Sequence, residues 1–451
     1  MINKIILSIF FTLTFAVNIM GQSSFKEINT QSLKHYNTAT WDSVIYYGKV
    51  AAKNDIDYYY LNYRLAVAYF YTADYYTSTY YFDKCINQNE LALSDLFFID
   101  LYYRALLYTK QYCLTDRLFT NTKSADSLIN VKHRGSFYLS YINGNIINLI
   151  DESDLRKDEE KVYSQTDYQQ TINTIGIGGY FIASRNIEID FRYSYSDIDM
   201  ISAAENSMYF DIKNYKLNQH IVNLKPRIHI NAKSSIDFAF GFHRVEGSPY
   251  GLHDSTLVIE EFNYKTTNLM AGFSYNYLYK NMRFGANFVY SNFLERKNLQ
   301  FGASLQWFPK GNLNLYSITE ISAFKSDNDM LKPVIYQKVG GKIYNKLWLE
   351  GSVIIGNVQN FTMLSSNYTF ETSYKTKALF GGRLIYVLNP SINFYVGPQY
   401  ILSTMEQYQD IPEEEESNGG QNRGRDRVNN SNNNLIDYSH FNIAGGIQWK
   451  F

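Results

Sequence analysis

In the back half of this chain, charged side chains recur at every second residue, and both signs are present. Glu188, Asp190 and Arg192 alternate with apolar residues in 187–195, Lys225 and Arg227 do so in 222–230, and Asp237 in 236–243. Arg283, Glu350 and Arg383 continue the series in later segments. These four acids and five bases either neutralise one another across a filled interior or line a narrow polar passage, and no single sign dominates enough to announce ion selectivity. His220, His229, His243 and His440 share the polar parity or stand near a segment end. An imidazole there serves more often as a hydrogen-bonded filler than as a base, and no Gly-x-Ser-x-Gly nucleophile motif accompanies them. Catalytic, cofactor and metal residues are therefore all expected to be none. Cys85 and Cys113 fit no metal-ligand spacing and read as separate core thiols rather than a disulfide. The run Glu413–Glu416 lacks the Gly and Asp/Asn spacing of a calcium loop and reads as a solvated, low-complexity stretch within 407–437.

The segments carrying these charges alternate apolar and polar residues, the period of a strand with one face in each environment. Thirteen such segments are assigned between Thr171 and Phe451. Their connections alternate in length. Short ones fall at 184–186, 233–235, 280–281, 310–312, 345–346 and 389–390, and longer ones at about 200–214, 248–258, 325–331, 359–371 and 406–437. Trp307, Trp348 and Trp449, with Tyr279 and Tyr344, lie beside short turns or the terminus, which suggests an aromatic ring at one membrane interface. Pro226 and Pro398 sit on apolar parity, and a bulge is expected at Pro226 because proline cannot donate to a ladder.

The chain ends on the strand 438–451, where Phe441, Ile443, Ile447, Trp449 and Phe451 share one parity. Gly446, Trp449 and Phe451 match the carboxyl-terminal assembly signal of bacterial outer-membrane β-barrels, and the chain resembles that class. The resemblance implies outer-membrane lipid and the barrel-assembly machinery as partners, short turns on the periplasmic side and an even strand number. A fourteenth strand must then precede Thr171. Residues 136–147 are the candidate, with 151–161 as an external loop; the competing reading makes 136–147 a final helix. About fourteen strands are expected, in a range of twelve to sixteen.

Residues 1–21 read as a signal peptide, with Lys4, an apolar stretch over 5–17 and Gly21 before a cut at Gln22. From 22 to 130 the period changes to about 3.6. Leu65, Ala66, Tyr69, Ser78, Phe82 and Cys85 stand where the 34-residue tetratricopeptide repeat has small and aromatic packing positions, and this stretch resembles such a repeat. Asn62 and Glu90 depart from its pattern. The expected fold is thus a two-domain α + β chain: periplasmic helical repeats over 22–130, a connection over 131–168 and an antiparallel transmembrane β-barrel over 169–451. That arrangement resembles exopolysaccharide-export porins and the YaiO type of repeat-plus-barrel protein. The resemblance implies a pore or export role, with the repeats recruiting a periplasmic protein. Alternatives are a non-conducting anchor for an envelope complex and, more distantly, a lipid-modifying barrel enzyme; no enzyme activity is expected. A formal net charge of −1 without a basic stripe argues against nucleic acid as a partner.

Overall fold

The computed structural model describes residues 25–115, 135–147, 163–205, 210–252, 259–293, 296–326, 330–359, 361–363, 368–370, 375–410 and 434–451. The signal sequence, the 151–161 connection and Glu413–Glu416 lie outside the described residues.

Helix α1 covers 25–37, followed by α2 (Trp41–Lys53), α3 (Tyr59–Tyr71), α4 (Tyr75–Gln88) and α5 (Leu96–Tyr108), with a 3₁₀ turn at Glu90–Ser94 before α5. Side-chain caps start the last two helices: Asp74 accepts from the Thr77 amide, and Asp95 from those of Phe97 and Phe98. Small residues set the helix spacing. Any Cβ at Gly48 would strike the Leu65 side chain, and the Ser78 hydroxyl donates to the Ala66 carbonyl at 2.8 Å, holding α4 close to α3. Leu65, Ala66, Ser78, Phe82 and Cys85 are all buried, while Tyr69 is half-buried and stacks on Tyr81. The Phe82 ring meets Phe98 edge-on at 4.8 Å, and each such buried side chain stabilises the packing by roughly 1.5–3 kcal/mol.

The remainder is a closed antiparallel barrel of fourteen strands. In order these are β1 (Gly135–Ile146), β2 (Tyr163–Ser184), β3 (Ile187–Glu205), β4 (Phe210–His229), β5 (Ser234–Gly247), β8 (Tyr264–Tyr279), β9 (Met282–Ser291) and β10 (Asn298–Trp307). Then follow β11 (Leu315–Ser326), β12 (Lys332–Tyr344), β13 (Leu347–Gly356), β16 (Lys375–Asn389), β17 (Ile392–Asp410) and β18 (Asn434–Lys450). Two small hairpins interrupt the series in long connections, β6–β7 (Tyr250–Leu252 with Ile259–Glu261) and β14–β15 (Phe361–Met363 with Tyr368–Phe370). The candidate first strand is therefore a strand and not a helix. It closes the sheet against the chain terminus: Leu139 lies opposite Ile447 and Phe137 opposite Trp449, while Gly135 and Phe451 exchange backbone hydrogen bonds at 3.1 and 3.0 Å.

Side-chain parity divides the wall as the alternation requires. Leu139, Phe301, Ile355, Val396 and Ile443 point outward and are exposed, a surface suited to acyl chains and costly in water. Three expectations change. The β4–β5 register is the same on either side of Pro226, from Leu224 opposite Phe240 to Arg227 opposite Asp237, so no residue is inserted. Proline is accommodated there by losing ladder bonds, not by a bulge. Trp348 shares the face of Glu350 and lies under the Lys342 ammonium, so it belongs to the inner rim and not to the outer aromatic ring. Much of the expected loop at 200–214 is strand. Strands β3 and β4 hold 19 and 20 residues, about twice what a tilted span needs, and carry the sheet past the membrane slab.

The seam yields a direct test. A Cβ at Gly446 would meet the Leu139 carbonyl oxygen at 2.4 Å, so Gly446→Val must push β18 off β1. Heat-modifiable gel migration should reveal a loss of folded barrel of at least about 1–3 kcal/mol, whereas Gly351→Val, at a position with open space for a Cβ, should change little.

Candidate functional site

The charged residues singled out in the sequence converge on the barrel interior. Glu188, Arg227 and Asp237 are directly opposite one another on β3, β4 and β5. Arg227 donates to both Asp237 oxygens, at 2.6 and 2.8 Å, and its Nη1 lies 3.6 Å from Glu188. Lys225, also buried, faces Asp190 across the β3–β4 ladder. On the far wall Glu350 is the hub: Arg383 donates to it through Nε at 2.6 Å, the Lys338 ammonium lies 3.0 Å away, and the Tyr316 hydroxyl donates to its other oxygen. Arg192 donates to the Tyr138 hydroxyl at 2.8 Å, and Arg283 reaches Gln306 at 3.5 Å. Several of the nine candidates thus form two clusters on opposing walls, in which acids and bases pair. Charge excluded from lipid has been turned inward, and inside it must be paired.

The histidines divide. His243 and His440 are fully buried; His243 packs on Phe293, and His440 lies 3.1 Å from the Gln169 carbonyl. His229 sits beside Glu188. His220 departs from the expected polar face: it lies opposite Tyr195 on the outer surface, with Nδ1 3.0 Å from the Tyr193 hydroxyl.

A cavity of about 540 Å³ separates the two walls, with Tyr138, Arg192 and Asn223 on one side and Lys338, Glu350 and Arg383 on the other. At the long-loop end, hairpin β14–β15 folds into the bore. Phe361 and Met363 pack among Phe324, Val334, Ile354 and Leu379, while Gln300 and Thr362 exchange side-chain and backbone hydrogen bonds at 2.7 and 3.2 Å. The outer halves of these strands therefore carry apolar residues on both faces.

The helical domain docks at the short-turn end. Tyr76 stacks on Phe308 with ring centres 4.1 Å apart, and Tyr80 meets Tyr279 and Lys233. The first amides of a helix lack intrahelical acceptors. Here the Gly311 carbonyl, in the β10–β11 turn, accepts from the Tyr76 amide at 2.9 Å, and Asn312 donates to the Ala73 carbonyl at 2.9 Å. Gly311 has φ +62°, and a Cβ there would collide with Asp74. Beyond α5, Lys110 also adopts positive φ, at 57°, a conformation that costs a non-glycine residue about 1–2 kcal/mol. The residue keeps solvent exposure yet has protein packed around it, and that desolvation, then the nearby Lys450, lower its pKa while Glu350 opposes them. Lys338, Tyr316, Lys110 and the inserted hairpin escaped the sequence reading. Only Lys338 carried a signal there, as a charge at the inward parity of β12.

No protein-family profile matches this sequence, and no curated protein matches it. Among solved structures, the toluene transporter TodX of Pseudomonas putida is 8% identical, over 73% of this chain and 93% of that one, with a TM-score of 0.40. A FadL homologue of Pseudomonas aeruginosa is 7% identical over 70% and 90%, with a TM-score of 0.37. The translocator domain of the autotransporter NalP from Neisseria meningitidis is 9% identical over 77% and 100%, with a TM-score of 0.31. At such scores the likeness assigns no function to this chain.

The two ion clusters should respond unequally to truncation. Arg227→Ala leaves Asp237 and Glu188 without their shared guanidinium and should destabilise the barrel by about 3–5 kcal/mol. Arg383→Ala leaves Glu350 with Lys338 and Tyr316 and should cost clearly less. Urea unfolding in detergent micelles, followed by gel migration, ranks the two.

Proposed function

We propose that this protein is an outer-membrane transport barrel held closed at rest, with the helical domain as its gate on the periplasmic, short-turn side. The observation that carries this reading is the polar cavity enclosed between an apolar constriction at one end and a docked helical domain at the other. A barrel serving only as an anchor has no need of a wetted chamber lined by Tyr, Arg, Lys and Glu. Such a lining suits a small amphipathic or polar solute with hydroxyl or carboxylate groups, which paired charges can bind without trapping. The surface of α1–α5 turned away from the barrel would receive a periplasmic protein, in the manner of tetratricopeptide repeats, and binding there would draw the domain off the mouth.

A second reading is a closed scaffold, favoured by the pairing of acids with bases inside both ion clusters. Planar-bilayer recordings separate the two. The intact protein should conduct rarely. Tyr76→Asp, which places a carboxylate against the Phe308 ring, should raise the open fraction at least about tenfold, the shift produced by ~1.4 kcal/mol. Neutralising Arg227 or Asp190 should then change ion selectivity. A folded barrel that stays silent after the helical domain is undocked would favour the scaffold.

A further inference from the structure

Where the helical domain meets the barrel rim, three side chains from separate parts of the chain come together. Cys113 follows α5, Glu188 begins β3 and His229 ends β4. One donor atom from each, a sulfur, a carboxylate oxygen and an imidazole nitrogen, lies within 4.8 Å of the other two. Cys113 and Glu188 are buried, and His229 nearly so. We propose that this cluster is a zinc site clamping the helical domain to the barrel.

The donor chemistry favours zinc over the other common divalent ions. A thiolate, an imidazole and a carboxylate form a mixed sulfur, nitrogen and oxygen set, whereas calcium and magnesium take oxygen alone. Spacing is close to what the ion requires. At zinc bond lengths, donors of a tetrahedral site lie roughly 3.5 Å apart, so closure needs about an ångström of movement. His229 Nε2 is 3.1 Å from Glu188 Oε1, so the two donors already face each other and an ion entering between them would replace that pairing. Glu188 divides its oxygens: Oε2 faces Arg227 at 3.6 Å and Oε1 faces His229, while the Tyr180 hydroxyl also hydrogen-bonds the carboxylate. The Cys113 sulfur is 3.6 Å from the Ser184 carbonyl, so that oxygen or a water can take the fourth position. Binding converts the Cys113 thiol to thiolate and releases its proton to water, while Glu188 and neutral His229 bind without proton loss.

Such a clamp would join the helical domain to the turn region of β2–β4, on the side of the mouth away from Glu350. It ties the segment after α5, whereas Gly311 holds the start of α4. The two attachments would together fix the domain at two separate points, the start of α4 and the segment after α5.

Cobalt absorption tests the site, since a thiolate ligand gives Co²⁺ a near-ultraviolet charge-transfer band. The full chain is folded in detergent with Cys85→Ala, so that Cys113 is the sole thiol; burial in the helical core holds the Cys85 thiol up at about 12 in any case. Titration with Co²⁺ should give the thiolate band at one ion per chain, and Zn²⁺ should bleach it. Cys113→Ser should abolish the band, and His229→Asn should weaken Co²⁺ binding at least tenfold, with gel migration confirming a folded barrel in each. A folded chain that binds no Co²⁺, or binds it without the thiolate band, overturns the site. If Cys113→Ser fails to fold, the titration of the Cys85→Ala chain decides alone. Conductance plays no part in this readout, so a silent barrel leaves the test intact.

Discussion

A sheet immersed in lipid must leave no backbone donor or acceptor unpaired, and closing it on itself is the way strands satisfy that demand. Here the requirement is met by pairing the segment after the helices with the last residues of the chain, Gly135 against Phe451 and Phe137 against Trp449. Fixing that seam fixes every parity in the wall. The outward positions of the apolar band favour apolar side chains, so Glu188, Arg227, Asp237, Glu350 and Arg383 turn to the interior. Once inside, the carboxylates of Glu188, Asp237 and Glu350 are buried enough that an unpaired charge would cost several kcal/mol, and the opposing strands supply the partner at the same ladder position.

The same logic explains how the two domains are joined. Short turns expose carbonyls and glycines at the barrel rim, while a helix start exposes amides that need acceptors. Placing the start of α4 on the β10–β11 turn satisfies both, and Tyr76 on Phe308 adds an apolar contact around the hydrogen bond. Lys110, beyond α5, then lies within the electrostatic influence of Glu350, Lys338 and Arg383. One docking event thereby couples the packing of the helices to the electrostatics of the cavity.

Much of this was legible in the sequence, for identifiable reasons. Period-two alternation and alternating turn lengths are local signals, and they located the strands, the inward charges and the need for a strand before Thr171. Trp348 was misplaced because two positions from a turn its parity mattered more than its nearness to the interface. His220 was assigned by polarity, although Tyr193 and Tyr195 hold it on the outer wall. Pro226 suggested a bulge, but an antiparallel ladder can simply forgo a bond. The inserted hairpin and the docked helices were not legible at all. Phe361 and Met363 look like ordinary loop residues until Phe324 and Val334 are seen opposite them, and the acceptor for the Tyr76 amide of α4, beside the Asp74 cap, is a backbone carbonyl, which no side-chain pattern announces.

The claim on which the account turns is that the helical domain sits on the barrel mouth through the Gly311 turn. Amide hydrogen exchange at Tyr76 measures it directly, because that amide's acceptor is the Gly311 carbonyl. In the intact protein Tyr76 should exchange slowly, and Gly311→Val, which drives a side chain into Asp74, should accelerate it by at least about tenfold while leaving the interior of α4 protected. Equal and fast exchange at Tyr76 in both proteins would mean that the domain does not dock there, and the closed mouth would have to be abandoned.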